Sequence, residues 1–366
     1  MALDLPASAR LYLRPVQFVD TPVGRDGEVA RLAGGLGWFS AWELIAAEGG
    51  RRVLQRTIPV AELPDDERLQ ALAARISAPR APLTLGERVL RLDQPLVMGI
   101  LNVTPDSFSD GGRHAGDPDG AAGAGVAMAA AGASLIDVGG ESTRPGAEPV
   151  WEGDEIARTV PVIERLARGG TAVSIDTRKA AVMEAALAAG AHLVNDVAAL
   201  LYDDRALEVV VRAGCPVVLM HSPDPAKGGH GEGRYGDVLL DVYDWLERRV
   251  DDVAAAGVDR ARILVDPGIG FGKSLQDNLA LLNGLALFHG LGCPLLLGAS
   301  RKRMIGALAS EAPSDARLGG SIALALKGAE AGAQLIRVHD VFETVQALRV
   351  WRGMRDAALA ASPPVF

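Results

Sequence analysis

Short apolar runs recur along the chain, and polar residues follow nearly all of them. Residues 96–103 are too uniformly apolar for a half-exposed strand and are typical of a parallel strand that is covered on both faces. A polar loop follows over residues 104–112 and ends in two glycines. We interpret this stretch as a rigid strand that presents chemical groups. The alternative is an ordinary surface turn, because Pro, Asp, Ser and Gly are the usual turn residues.

The alternation of apolar strands and helices continues almost to the C-terminus. Helical stretches rich in Ala, Leu, Glu and Arg separate the apolar runs, which are LVMGILNV, SLIDVGG, AVSIDT, HLVNDV, PVVLMH, RILVDPG, PLLLGAS and QLIRVH. Eight strands that alternate with helices predict an α/β fold, a (β/α)8 TIM barrel over residues 83–358. An open doubly wound sheet is the competitor, but it usually carries a glycine-rich dinucleotide turn after its first strand. Here that turn is polar and lacks the spacing.

Residues 1–82 form a separate pattern, which predicts a small N-terminal α/β module. Residues 11–19 and 51–60 are strand-like, and residues 38–47 fit either a helix or a strand. Residues 65–76 form an amphipathic helix with Leu69, Leu72 and Ile76 at helical spacing. No motif in this module indicates a chemistry, and its role is unknown.

Composition narrows the class of partner. The net charge of −9 argues against a nucleic-acid surface or an anionic membrane partner. The start has no signal-peptide core and no apolar run is long enough to span a bilayer, so we expect a soluble cytoplasmic protein. Cys215 and Cys293 each precede an apolar strand within a Gly-Cys-Pro triplet, which predicts buried, reduced packing residues.

Polar groups stand at the ends of the predicted barrel strands. They are Asn102, Asp137, Asp176, Asn195 with Asp196, Met220 with His221, Asp266, Ser300 with Arg301 and Lys302, and Arg337 with His339. In a TIM barrel these positions converge on the C-terminal rim, where active sites lie. A recurrence on nearly every strand favours an active site over a set of ordinary turns.

Two nucleotide-binding motifs can be rejected. Gly272-Lys273-Ser274 resembles the end of a P-loop, but Pro267 stands where the first glycine is required. The stretch GIGFG also fails the dinucleotide spacing. Lys273 is then a loop cation or a helix-start residue, and His221 fits a site residue or a core residue equally well.

The carboxylates suggest recognition of a flat nitrogenous ring. Asp176 or Asp266 alone fits a helix cap or a structural acceptor. Together with Asn195 and Lys302, they offer acceptors for ring N–H groups and donors for ring nitrogens and carbonyls.

Arg337 and His339 alternate, so both point to one face of their strand, and Asn102 is expected beside them. Such a set suits a diphosphate carried with Mg²⁺, which takes few protein ligands. No His and carboxylate set has the spacing of a protein-caged metal site.

The motifs NVTPDSFSDGG, DVGGESTRPGA, SIDT, NDV, LMH, DPGIGFGKS, GASRK and RVHD, in this order, closely resemble the bacterial dihydropteroate synthase family of folate biosynthesis. The resemblance covers about Gly86 to Trp351. After Met220-His221 the family commonly continues Met-Gln-Gly, whereas this chain has Ser222-Pro223-Asp224. That departure leaves open the detail of the fifth loop.

The resemblance implies condensation of 6-hydroxymethyl-7,8-dihydropterin diphosphate with para-aminobenzoate, with release of diphosphate. It implies Asp176, Asn195, Asp266, Lys302 and Met220 around the pterin, and Asn102, Arg337 and His339 around diphosphate and Mg²⁺. Thr143 is implied as a further substrate-binding residue. It also implies an aminobenzoate slot lined by Phe108, Pro145, Phe271 and the stem of Lys302. The family is the target of sulfonamides, which mimic aminobenzoate, and its barrels commonly pair as homodimers through their later helices.

The chemistry needs no strong nucleophile, because diphosphate can leave a benzylic-like carbon before the amine attacks. Stabilisation of the departing charge is then the main requirement. Asp110 is the candidate partner of the developing pterin cation, and Arg144 is the candidate for closing the site.

Two other functions remain possible from the sequence. A methyltetrahydrofolate methyltransferase shares the pterin-binding barrel, but it has no use for the diphosphate residues or for the first loop, and both are intact here. A catalytically silent pterin-binding paralogue should have lost loop residues, and none is visibly missing.

Overall fold

A computed structural model describes residues 8–104, 117–142, 148–227 and 231–360. The predicted site residues Phe108, Asp110, Thr143, Arg144 and Pro145 lie outside the described residues.

Eight parallel strands form a nearly closed barrel, as the apolar runs predicted. They are β7 (Leu96–Asn102), β8 (Leu135–Gly139), β9 (Val173–Asp176), β10 (Leu193–Asp196), β11 (Val217–Met220), β12 (Ile263–Asp266), β13 (Leu296–Leu297) and β14 (Leu335–Val338). Their order in the sheet is β12-β11-β10-β9-β8-β7-β14-β13. A single parallel bridge between Val265 and Leu295 joins the two ends of this sheet.

Helices follow each barrel strand and cover the outside of the barrel. They are α2 (Pro118–Ala130), α3 (Glu152–Arg168), α4 (Ala180–Ala188), α5 (Ala206–Ala213), α6 (Val238–Ala255), α7 (Leu275–Asn283), α8 (Arg303–Leu308), α9 (Leu318–Glu330) and α10 (Val341–Leu359). Local sequence sets several of their starts. The Asp117 carboxylate accepts the Gly120 N–H at the start of α2, and Ser274 and Asp277 form a capping box at α7.

The lower half of the barrel interior is apolar. One inward residue from each strand region packs in this layer: Met98, Leu135, Ala172, Leu193, Val218, Leu264, Leu296 and Leu335. A hairpin of β5 (Leu83–Leu85) and β6 (Arg88–Leu90) packs Leu83 and Leu85 against this layer. The hairpin thus forms a plug at the bottom of the barrel.

The N-terminal region is an antiparallel sheet with one helix. The sheet contains β1 (Arg10–Val19), β2 (Ala30–Arg31), β3 (Trp38–Glu48) and β4 (Arg51–Pro59), with β3 in the centre, and the helix is α1 (Glu67–Ser77). The ambiguous stretch at residues 38–47 is therefore a strand. One face of the sheet, with Leu13, Leu44 and Ala46, packs with Leu69 and Ile76 of α1.

The other face of this sheet packs on the outside of the barrel. Tyr12 and Ile45 belong to the apolar core of the barrel, and the Tyr12 ring meets the Tyr243 ring of α6 edge-on at 5.5 Å. The Tyr12 hydroxyl donates to Asp244 at 2.9 Å, and the Arg52 guanidinium pairs with Asp237 at 2.6 Å. The N-terminal sheet is therefore packed against α6 of the barrel.

Among the described residues, no helix is long and apolar enough to cross a bilayer. Cys215 and Cys293 are buried free thiols, as the sequence predicted.

Candidate active site

Polar residues form the inward layer directly above the apolar floor. Successive inward positions on a strand are two residues apart, so the layer above Met98, Leu135 and their partners consists of Ile100, Asp137, Ser174, Asn195, Met220, Asp266, Gly298 and Arg337. The barrel mouth thus changes within one step of the pleat from aliphatic side chains to carboxylates, an amide and a guanidinium.

Arg337 joins carboxylates from two strands across this mouth. Its Nε donates to Asp137 Oδ2 and its Nη2 donates to Asp176 Oδ2, both at 2.6 Å. The Asn195 amide also donates to Asp137 Oδ2, at 2.9 Å. These charge-assisted bonds orient one oxygen of each carboxylate before any ligand arrives.

The second oxygen of each carboxylate is an acceptor without a donor. Asp137 Oδ1 and Asp176 Oδ1 are both buried and have no hydrogen-bond partner among the described residues. Burial raises the pKa of the Asp176 carboxyl, Arg337 opposes that rise, and the neighbouring Asp137 adds to it. Because an unpaired buried carboxylate oxygen is costly, the site is suited to a ligand that brings N–H donors.

Lys302 lies between Asp266 and an aromatic ring. Its ammonium stands 4.1 Å from the centre of the Phe271 ring, a cation–π distance. Burial lowers the pKa of Lys302 to about 8, although the charge of Asp266 favours the ammonium. Asp266 Oδ1 accepts the Gly268 N–H at 2.7 Å, and burial raises the pKa of its carboxyl.

Asn102 and His339 lie one step further toward the rim. The His339 backbone N–H donates to Ser300 Oγ at 3.2 Å, and His339 Nδ1 lies 3.1 Å from the same oxygen. Gly139 leaves space between strands here, since a Cβ at Gly139 would stand 3.6 Å from both Asn102 Oδ1 and Asp176 Cβ. Glycine thus keeps open the gap between the amide and the carboxylate.

These oxygens can accept a magnesium ion that retains most of its water. No group of three or more His, Cys, Asp or Glu side chains among the described residues could hold a metal. Mg²⁺ needs no such cage, because it usually binds through one or two protein oxygens together with water and phosphate oxygens. The Asn102 amide oxygen beside Gly139, with the Arg337 guanidinium on the adjacent strand for the phosphate oxygens, fits that requirement.

The structure brings all nine predicted site residues that it describes to the barrel mouth. Asn195, Met220, Asp266 and Arg337 lie in the polar layer, and Lys302 and Phe271 stand beside it. Asp176, Asn102 and His339 lie one step above it. The place of Asn102 beside Asp176 follows from Gly139, which lies between them. Asp266 faces Arg337 across Gly298, whose added Cβ would meet Asp266 Oδ2 at 3.6 Å and Arg337 Cδ at 3.9 Å.

Asp137 is the residue whose importance the sequence interpretation underestimated. It was noted as a strand-end residue but received no role, whereas its carboxylate holds both Arg337 and Asn195. A signal was present, because Asp137 is a lone charge within a strand that is buried at every position. Asp196, by contrast, has a structural role, since its carboxylate accepts the Ala198 and Leu200 N–H groups of the following turn.

Comparison with known proteins identifies the family. Residues 98–339 match the profile of the pterin binding enzymes. The dihydropteroate synthase of Escherichia coli strain K12 is 47% identical over 262 residues, which are 71% of this chain and 92% of that protein. The chain belongs to the dihydropteroate synthase family.

Solved structures of this family have the same fold. A Xanthomonas albilineans dihydropteroate synthase with 4-aminobenzoic acid superimposes with a TM-score of 0.71 and 47% identity, and covers 78% of this chain and 100% of its own. A Yersinia pestis dihydropteroate synthase with a sulfonamide drug gives a TM-score of 0.71 and 46% identity, over 75% of this chain and 99% of its own. The matched profile begins after the N-terminal antiparallel sheet, so that sheet is not part of the family pattern.

Proposed function

We propose that this chain catalyses the dihydropteroate synthase reaction, in which 6-hydroxymethyl-7,8-dihydropterin diphosphate and para-aminobenzoate condense to 7,8-dihydropteroate and diphosphate. The observation that carries the proposal is the pair of oriented, half-satisfied carboxylates at Asp137 and Asp176 in the barrel mouth. Their unpaired oxygens are acceptors for the amino and ring N–H groups of a pterin. The family membership supports the same substrate class.

The pterin would lie on the polar layer of the barrel mouth. Asp176 and Asp266 would accept its N–H groups, Asn195 and Lys302 would hold its carbonyl and ring nitrogen, and Met220 would pack on its face. Met220 is well placed for this because it is the inward residue beside Asp266 on the neighbouring strand. A flat ring held by fixed groups on four strands loses little freedom when the reaction begins.

The aminobenzoate would lie against Phe271 and the aliphatic stem of Lys302. The ring of Phe271 offers an apolar face, and the Lys302 ammonium lies above it. This ammonium would neutralise the charge of the aminobenzoate carboxylate or bind the pterin. The other predicted walls, Phe108 and Pro145, lie outside the described residues, as do Thr143, Asp110 and Arg144. Their roles stay predictions.

The diphosphate would bind between Arg337, His339 and Asn102, with Mg²⁺ on the Asn102 amide oxygen. The bonds to Asp137 and Asp176 occupy only part of the Arg337 N–H donors, so the guanidinium can hold both carboxylates and face a diphosphate. Bound magnesium would supply Lewis-acid stabilisation of the leaving diphosphate.

The residues of the site stabilise charge and carry out no nucleophilic attack. The C–O bond to diphosphate breaks first, the electron pair leaves with the diphosphate, and the pterin methylene becomes cationic. Arg337 and His339 face the developing negative charge, while Asp176 and Asp266 face the developing positive charge on the ring. The aminobenzoate nitrogen then attacks the methylene and loses a proton to water. Such preorganised charge stabilisation is usually the largest catalytic contribution.

The decisive experiment is incubation of the purified chain with dihydropterin diphosphate, labelled aminobenzoate and Mg²⁺. We expect labelled dihydropteroate and one diphosphate per product. Pterin binding without product would instead identify a silent pterin-binding paralogue, and methyl transfer from methyltetrahydrofolate would identify a methyltransferase. Asp176→Asn serves as the control that should lose pterin binding.

We further propose that the chain forms a homodimer through α10. Phe342, Val350 and Met354 expose 62%, 61% and 68% of their surface on this helix. A second copy would cover these apolar side chains. The cytoplasmic location remains a prediction from the sequence.

A further inference from the structure

The loop between β12 and α7 presents Phe271 on a backbone that is intrinsically loose. Gly270 and Gly272 flank Phe271 and have φ angles of +82° and +57°. Glycine has more backbone freedom to lose than any other residue, so a segment of this composition does not fix an aromatic ring by itself. Contacts from elsewhere must therefore hold Phe271 in place.

Lys273 supplies one set of those contacts. Its Nζ lies 2.8 Å from the Gly268 carbonyl oxygen, 3.2 Å from the Phe271 carbonyl oxygen and 3.3 Å from the His221 carbonyl oxygen. It also stands 3.0 Å from His221 Nδ1, where the imidazole accepts from the ammonium. No described carboxylate lies within ion-pair distance of it. The ammonium therefore binds the backbone of two neighbouring loops.

Those contacts leave Lys273 no capacity for a ligand. An ammonium has three hydrogens, and four acceptors already surround this one. The P-loop-like Gly-Lys-Ser sequence is thus explained without a phosphate. His221 is placed in the same way, since its buried ring packs edge-on against Trp245 at 5.0 Å and accepts from Lys273.

Asn278 of α7 supplies a second, independent set of contacts. Its Oδ1 accepts the Gly270 N–H at 2.6 Å, and its Nδ2 donates to the carbonyls of Lys273 and Ser274 at 3.1 and 2.7 Å. Asn278 thus holds the peptide group between residues 269 and 270, and Lys273 holds the peptide group between residues 271 and 272.

The position of this loop also determines the position of Lys302. The Lys302 ammonium stands 4.1 Å from the Phe271 ring, and a Cβ at Gly270 would lie 3.0 Å from Lys302 Cδ. A shift of the loop by a fraction of that distance would change the gap between the ring and the lysine stem.

We propose that Lys273 and Asn278 are positioning residues for the aminobenzoate slot, which hold Phe271 against Lys302 without touching the substrate. The proposal rests on the proposed function, because it takes the Phe271–Lys302 gap as the place of the aminobenzoate ring. Asp137 and Asp176 on the pterin side bind Arg337 directly, and these bonds include no residue of this loop.

Steady-state kinetics of Lys273→Met and Asn278→Ala test this, with each substrate varied in turn. We expect the KM for aminobenzoate to rise on the order of ten- to hundredfold in both variants, as for a misplaced binding group. The KM for dihydropterin diphosphate should change less than about twofold. Lys227→Met is the matched control, since the Lys227 side chain is 83% exposed and its ion pair within the described part of the chain is with Asp224 at the surface. Thermal unfolding of every variant identifies those that have merely lost their fold.

The possible outcomes separate the inference from the proposed function. A wild-type chain that makes no dihydropteroate overturns the function. The positioning role is overturned if the wild-type chain is active and the folded variants keep the wild-type KM for aminobenzoate. It is also overturned if the KM values for both substrates rise equally in these variants. If Lys273→Met does not fold, Asn278→Ala decides by the same comparison. If neither folds, calorimetric binding of a sulfonamide to the milder variant His221→Gln replaces them, and unchanged affinity rejects the proposal.

Discussion

Lys302 illustrates at the scale of one residue how the barrel mouth makes a side chain responsive to pH. Loss of solvent around its ammonium and the nearby charge of Arg337 together lower its pKa to about 8, although the charges of Asp266 and Asp176 oppose both effects. The charge on Lys302 is therefore lost close to neutral pH, and not near the ordinary lysine value of 10.5.

We predict that kcat/KM falls above about pH 8, with a pKa that belongs to Lys302. Lys302→Met should lower kcat/KM at neutral pH by about 2–4 kcal/mol of transition-state stabilisation and abolish the alkaline limb. Stability should change in the opposite direction. Between about pH 8 and 10.5 the unfolded chain binds the proton and the folded chain does not, so this group makes the free energy of unfolding rise with pH.

A pH–rate profile of both proteins, with denaturant unfolding at the same pH values, checks this prediction. Burial lowers the pKa of Lys273 to about 7, just below this range, so Lys273→Met is the second control. An alkaline limb that survives unchanged in Lys302→Met would assign the titration to another group.

The sequence predicted which residues lie at the barrel mouth better than the bonds between them. Asp176, Asn195 and Asp266 could be found because each ends an apolar strand, which is a local pattern. The bridge from Arg337 to Asp137 and Asp176 spans the lumen between strands that are 161 and 200 residues apart in the chain. Such a contact depends on the closure of the barrel, which no single stretch of sequence contains. The sequence left the roles of Lys273 and His221 undecided for the same reason. Their side chains contact each other between two loops that are distant in the chain.

At the scale of elements, strands that are covered on both faces are easy to locate because they are apolar runs. The same uniform pattern makes them hard to distinguish from buried helices. The barrel strands were recognised because they recur with helices between them. The stretch Trp38–Glu48 lacked that context, and its nearly continuous burial hides the alternation of a strand. The structure explains this burial, since Leu44 and Ala46 face α1 while Ile45 and Ala47 face the barrel.

The N-terminal sheet should stabilise the barrel and contribute little to the site. A chain that begins at residue 81 would expose the apolar surface around Tyr243, yet it would keep Arg337, Asp137 and Asp176 together. We predict that it unfolds at a lower temperature but still binds the pterin substrate. In the full chain, Tyr12→Ala should cost about 3 kcal/mol of stability through the lost packing, with kinetic constants near those of the wild type.

Thermal unfolding and calorimetric pterin binding of the two proteins check that prediction. A truncated chain that is folded but does not bind pterin would show that the N-terminal sheet contributes to the site. A truncated chain as stable as the full one would show that the sheet is a separate domain, as the boundary at residue 82 assumes.

At the scale of the whole molecule, the exposed apolar face of α10 predicts the oligomeric state. Val350→Glu together with Met354→Glu would place charges in the proposed interface, and a buried unpaired charge is strongly unfavourable. We expect the wild type to sediment as a dimer and this variant as a monomer. Val126→Glu on α2, where Val126 is 50% exposed, should leave the dimer intact. A monomeric wild type at micromolar concentration would contradict the proposal.

The two substrate sites should also be coupled, because Lys302 belongs to both. Its charge interacts with Asp266 and Asp176 on the pterin side, and its ammonium lies over Phe271 on the aminobenzoate side. A bound pterin that fixes Lys302 already restricts the motion of this side chain. Aminobenzoate binding then loses less conformational entropy. We predict that pterin, diphosphate and Mg²⁺ together tighten the binding of a sulfonamide by about 1–3 kcal/mol. Calorimetric titration with and without these ligands measures the coupling, and Lys302→Met should lose most of it. Equal sulfonamide affinity under both conditions would mean that the slot is complete in the free protein and that Lys302 does not connect the two sites.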